Sequence, residues 1–208
     1  QRPAAISVEA FVKPVAATSI YDAVVMKTDD EGWDNGYGMY HDGLGNIVFF
    51  VNHFGDHKVV SPIPNDQYSH VVGTYDGSTI RLYMDGSEVA STPYTAAINH
   101  SSNSLHVGKG ILDGEEWNGS LDEVALYDKA LTAADVATHY AAKTFESTYE
   151  KAVLEDVPVA YYRLNETSGS VATDRSINRI DGTFIGSPTL GVASPLQSTN
   201  FFVIANSD

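Results

Sequence analysis

The chain has 208 residues, of which 12 are Lys or Arg and 27 are Asp or Glu, giving a formal net charge of -15, and 43% of its residues are apolar. That is enough chain for one large all-β domain, or for one domain and a fragment of a second, and enough apolar side chain for a packed core instead of disorder. The charge argues against nucleic acid or an anionic membrane as partner, since both call for basic surface, and it is compatible with cations.

No stretch approaches the length of a transmembrane helix, so no membrane insertion is expected, and no signal peptide is read. Gln1 is not a start methionine and a strand begins almost at once, so the chain reads as cut from a longer precursor. The absence of cysteine excludes disulfides, thiolate metal sites and cysteine nucleophiles together.

In chain order, Ile6, Val8, Ala10 and Val12 alternate with Ser7, Glu9, Phe11 and Lys13, which predicts a half-buried first strand. Residues 23–27, AVVMK, form a second short run, followed by the acidic loop TDDEGWDNG with Trp33. YGMYHD and NIVFFVNHF follow, and the latter is apolar on both faces, as suits a central strand covered on both sides. Pro62 and Pro64 punctuate the link to SHVVGTYDGSTIRLYMDGSEVAS, residues 69–91, where Asp76-Gly77 and Asp85-Gly86 separate three alternating runs. Asp-Gly between alternating runs predicts hairpins, hence an antiparallel meander with Ile80, Leu82 and Met84 on one face. SLHVG is a further short strand, KGILDGEEWNG a second acidic loop with Trp117, and SLDEVALYD the next strand. Thr132 then reads as the N-cap of a short helix over LTAADVATHYAA.

The run from His70 through GTYDGSTIRLYMDG to WNGSLDEVALYDKALTAADVATHY resembles the bacterial laminin G-like jelly-roll domains of the concanavalin A-like lectin/glucanase superfamily, over roughly residues 6–141. The resemblance implies an all-β, two-sheet antiparallel sandwich with one or two short helices. It also implies a non-catalytic module of a larger secreted or cell-surface protein. Residues 149–190 look like the opening of such a domain, so the order is permuted, with the opening strands last. Residues 1–142 are expected to form the sandwich and 143–208 a linker and opening-strand segment that completes it, the alternative being the start of a following repeat. The apolar runs AYYRL, GTFIG and FFVIA of that segment favour completion, with strand exchange between molecules as the other way to fill the slots.

The resemblance also implies a structural calcium ion. Carried onto this chain, its ligands are Asp122 in SLDEV and Asp174 in ATDRSINRIDG, with carbonyls near Asn178 and Gly182. Arg175 and Ile177 depart from the small, Gly-Asn-rich loop usual in the family. The competing reading is that Asp174 closes an Asx turn and Asp122 accepts a backbone hydrogen bond. The cluster Asp29, Asp30, Glu31 and Asp34 reads as a solvated loop or a second ion site.

For a ligand, Trp33 and Trp117 in polar loops offer indole faces to a sugar ring. Tyr37, Tyr40, His41, Asn52 and His53 offer polar partners on one sheet, unless all of these pack within the sandwich. His53 and His57 are four apart across Gly55-Asp56, where a helix is not expected, so they make no metal pair. Asp122 and Glu123 do not read Glu-x-Asp-x-x-Glu, and neighbours on a regular strand face opposite ways, so no glycosidase pair is expected. The expected partner is therefore a glycan or an extracellular protein ligand. A structural or adhesive spacer and a glycoside hydrolase of the same fold are the alternatives.

Overall fold

A computed structural model describes residues 3–15, 21–29 and 32–197. The run FFVIA at 201–205 and the acidic residues Asp30 and Glu31 lie outside the described residues. The strands are β1 (Ile6–Pro14), β2 (Asp22–Lys27), β3 (Tyr37–His41), β4 (Asn46–Val51), β5 (Lys58–Pro62), β6 (Ser69–Tyr75), β7 (Thr79–Met84), β8 (Ser87–Pro93), β9 (His106–Val107) and β10 (Gly119–Tyr127). Two helices, α1 (Ala133–Ala142) and α2 (Glu146–Glu155), precede β11 (Ala160–Tyr162), β12 (Val171–Ala172) and β13 (Gly182–Thr183). One antiparallel sheet runs β11-β10-β1-β6-β7-β8, the other β5-β4-β3-β2-β9, and β12 pairs with β13. Alternation puts Val8, Val12, Val71, Ile80 and Leu82 of the first sheet against Met39, Ile47, Phe49 and Val51 of the second, all buried. A Cβ on Gly73 would lie 2.3 Å from the Phe49 ring, so this glycine lets the two sheets close.

The meander forms as its turns predict. Asp85 and Gly86 both take positive φ, at 49° and 81°, as a two-residue hairpin between right-twisted strands requires. At the other turn only Gly77 has positive φ, and Asp76 closes it by accepting Ser78 N and Thr79 N at 2.8 Å each.

β1 is not half buried: its Ser7, Glu9 and Phe11 face is covered as completely as its Val8 face. The cover is the α1–α2 pair. Thr132 caps α1 with a reciprocal Asp135 bond, as the sequence predicts, whereas α2 is a helix that apolar periodicity alone did not reveal. Val136, Tyr149 and Val153 pack with Phe11, Val72, Tyr83, Ala125, Tyr127 and Tyr161 on the outer face of the six-stranded sheet. Glu9 lies beneath them with no exposure, accepting from Tyr127 Oη at 2.6 Å and Tyr149 Oη at 2.8 Å, with His70 Nε2 at 2.7 Å. Burying a carboxylate in an apolar layer costs several kcal/mol unless polar partners surround it, and here His139 Nδ1, 3.1 Å from each oxygen, makes a fourth.

Beyond α2, β11 takes the edge of the six-stranded sheet beside β10, pairing Val124 with Tyr162 and Leu126 with Ala160. The following hairpin is far less covered: Ile185 in GTFIG is 86% exposed, and Ile177 and Ile180 are also exposed.

Candidate functional site

The outer face of the five-stranded sheet carries most of the sequence candidates, and it is covered by the protein itself. Trp33, expected to offer its indole face to a sugar ring, is instead 2% exposed. Its indole lies parallel to the Phe50 ring with centroids 5.8 Å apart, and meets Tyr21, Tyr40 and Phe54 edge-on. Gly38 makes this possible, because a Cβ there would lie 2.3 Å from Met26 Sδ and 2.6 Å from Phe50. Aromatic pairs of this kind contribute about 0.5–1.5 kcal/mol each beyond simple burial. The polar loop therefore folds back onto the sheet, and Trp33 and Tyr40 present no ring face to a ligand in this conformation. His41 is equally buried, at the inner end of β3 opposite Asp22. Burial raises the Asp22 carboxyl, and the His41 ring opposes that rise. Trp117 is partly buried against the central core, and the Asn52 amide is taken up by Tyr94 Oη at 2.8 Å, Ala97 O at 2.9 Å and Asn99 N at 2.6 Å.

His53 is different. It sits on the rim of the same sheet with 36% of its side chain exposed, beside Asp34 at 58% and Asp56 at 79%. Its Nδ1 accepts from Gly55 N at 3.0 Å and Asp56 N at 3.1 Å, which leaves Nε2 to donate to Asp34 Oδ1 at 3.1 Å. The tautomer is fixed by these partners. The Phe54 ring stacks on it at 5.6 Å, and the whole lies over the aromatic cluster of Trp33. An oriented imidazole, two exposed carboxylates and a ring edge thus share one rim. Nearby, Asp29 is more than a solvated loop residue. Its Oδ1 accepts from Ser101 Oγ at 2.6 Å, Ser102 N at 2.5 Å and Asn103 N at 3.0 Å, and these bonds hold its carboxyl down to about 2, the Ser101 bond foremost.

Asp122 and Glu123 break the alternation on which their exclusion as a pair rested. Leu121 and Val124 both face the central core, so the two residues between them occupy a β-bulge on the outer face, with Glu123 at φ 53° and the β1 register shifting between Glu9 and Phe11. Adjacency therefore does not separate them, but enclosure does make them unlike a hydrolase pair, at 5% and 1% exposed. Tyr161 Oη donates to Glu123, and Arg163 Nε lies 3.2 Å from it while its Nη2 lies 3.0 Å from Glu146 on α2. Burial raises Glu123 to about 8 and Asp122 to about 6, against the pull of Tyr161 and Arg163 on the first and of Ser194 and Glu123 N on the second.

The residues matched to a calcium site each have local partners. Asp174 Oδ1 accepts from Tyr161 N at 3.0 Å and Ser176 N at 2.8 Å, and Oδ2 from Ser176 Oγ and Ile180 N at 2.9 Å each. Asn178 donates its amide to Val159 O at 2.8 Å, Gly182 pairs with Ala172, and Asp122 accepts from Glu123 N at 3.0 Å. As folded, the loop turns N–H groups toward Asp174, whereas a calcium cage needs six to eight converging oxygens, so this donor set does not fit the ion. Among the described residues no group of three or more His, Asp or Glu is arranged to hold a metal.

Two antiparallel sheets packed face to face, with a helical pair over one and an aromatic cluster over the other, define a sandwich of the concanavalin A-like class. Residues 1–137 match the laminin G-like model of the concanavalin A-like lectin/glucanases superfamily, and the chain belongs to that family. No sequence match was found among curated proteins. Among solved structures, a protein of Bacteroides ovatus proposed to bind carbohydrate is similar with a TM-score of 0.64 and 16% identity over 86% of this chain, which spans 51% of that protein. The CBM40 module of a Ruminococcus gnavus sialidase, bound to α2,3 sialyllactose, is similar with a TM-score of 0.52 and 12% identity, over 65% of this chain and 82% of that one. Domain 4 of an extracellular arabinanase of Geobacillus stearothermophilus, in complex with arabinotriose, has a TM-score of 0.51 and 19% identity, over 66% of each chain. Such likenesses show the fold. Among the described residues, no helix is long and apolar enough to cross a membrane.

Proposed function

We propose that this chain is a non-catalytic recognition module of a larger secreted or surface protein, and that it binds a glycan at the rim around His53. The observation that carries this reading is the half-exposed imidazole of His53, fixed between Asp34 and Asp56 beside the Phe54 ring. Sugar hydroxyls need oriented donors and acceptors, and the C–H face of a pyranose needs an apolar surface nearby. The glycan partners named for the Ruminococcus and Geobacillus modules support the same ligand class. The enclosure of Asp122 and Glu123 supports a non-catalytic role.

The covering of Trp33 and Tyr40 favours a second reading, a structural or adhesive spacer with no sugar site. Titration of the intact chain against a glycan panel separates the two. Saturable binding to at least one glycan is expected, weakened at least about tenfold in His53→Ala and Asp34→Ala, a loss of about 1.4 kcal/mol. No saturable binding to any glycan leaves the spacer reading.

A further inference from the structure

Both ring nitrogens of the buried His139 face carboxylates. Nδ1 lies 3.1 Å from each oxygen of Glu9 on β1, and Nε2 lies 3.1 Å from Oδ2 of Asp156, the C-cap residue of α2. His139 is 1% exposed. A neutral imidazole has one N–H and one lone pair, so it would aim that lone pair at a carboxylate with no water between. Moving the proton to Glu9 gives a worse arrangement, because the Tyr127 and Tyr149 hydroxyls already donate to that carboxylate and His70 Nε2 lies against it. On the far side Lys129 pairs with Asp156, and one turn earlier on α1 Asp135 adds a negative field. The ring also sits in the last turn of α1, where the helix dipole favours a cation.

We propose that His139 is a buried imidazolium clasp that fastens the α1–α2 pair to the six-stranded sheet, and that loss of its proton on the alkaline side releases the pair. The clasp joins three elements distant in sequence: β1 through Glu9, α1 through the ring itself and the end of α2 through Asp156. The ring's pKa is raised above the ordinary 6.5: burial pulls it down, and the bonds and charges of Glu9 and Asp156 outweigh that pull. The sign follows from linkage. Its contribution to stability is complete below 6.5 and is lost as pH rises through the folded value.

Nitrogen NMR of the intact chain, with His139 assigned by through-bond correlation, reads the charge state directly. Both ring nitrogens are expected to be protonated at pH 7, and their deprotonation on the alkaline side is expected to coincide with faster amide exchange in α1 and α2 while β6 and β7 stay protected. A ring carrying a single proton at neutral pH overturns the proposal, as does a ring that titrates while the helices remain protected. In Asp156→Asn, which keeps the side-chain shape, the ring titration and the helix release are both expected to move to lower pH. An unmoved titration in that variant also overturns the clasp.

Discussion

The hydroxyl of Tyr149, on α2, donates to Glu9 Oε1 at 2.8 Å across 140 positions of sequence. A carboxylate on an interior strand and a phenol from the last third of the chain thus meet out of contact with water. Of the four side chains against that carboxylate, His70 and Tyr127 lie within the family-matched residues 1–137, whereas His139 and Tyr149 come after them.

Replacing that phenol isolates its contribution. Tyr149→Phe keeps the ring against Phe11 and Val153 and deletes one donor to a buried anion. A loss of about 1–3 kcal/mol in urea denaturation is expected, the cost of an acceptor left short of a partner. An unchanged midpoint would mean that Glu9 is not held as an anion.

The acid limb of stability has its own source. Burial raises the Glu9 carboxyl, but bonds from His139 and His70 together outweigh it and leave Glu9 well below the ordinary value of 4.5. A depressed carboxylate gives stability that is present above the unfolded value and is lost as pH falls through the folded one. Chemical denaturation from pH 6 downward is therefore expected to show stability declining below 4.5. In Glu9→Gln this part of the slope should be missing, though the variant starts from a lower plateau.

Ending the chain after Ala142 removes Tyr149, Asp156 and Tyr161 together, and with them donors to Glu9 and Glu123 and the acceptor at His139 Nε2. The truncated chain is expected to lose its cooperative melt or to associate through the uncovered sheet. A folded monomer, by sedimentation and calorimetry, contradicts the view that residues 143–208 complete this sandwich.

Calcium makes a fourth test. With the oxygens of Asp174 engaged by three N–H groups and one hydroxyl, the thermal midpoint is expected to be the same in excess calcium and in chelator. Binding to the folded state alone must raise the midpoint, so a rise would show that the 174–180 loop re-forms around the ion with its carbonyls turned inward.

The local features of this fold are those its sequence announces best. Asp85-Gly86 and Thr132 specify a turn and a cap through their own side chains and torsions, and both form as read. What stayed hidden depends on cover supplied from afar. Glu9 and Phe11 alternate like solvent-facing residues because nothing near them tells of helices that begin at Ala133. Trp33 lies in a polar loop, and only the room left by Gly38 and the flat Phe50 ring shows where its indole goes. At the rim, the sequence marks His53 as a candidate but not its meeting with Asp34 and Asp56, which depends on loop geometry and not on spacing.

The bulge at Asp122 and Glu123 acts on β10 as a shift of reading frame. Before it, the strand turns Leu121 inward; after it, Val124 and Leu126 face inward again only because one extra residue has been absorbed. Straightening the ladder with both acids kept would exchange the inward and outward sets on one side of the bulge, whereas deleting one acid would leave a regular ladder with Leu121, Val124 and Leu126 still inward. In this strand, two adjacent carboxylates keep the apolar residues that follow in phase with the core.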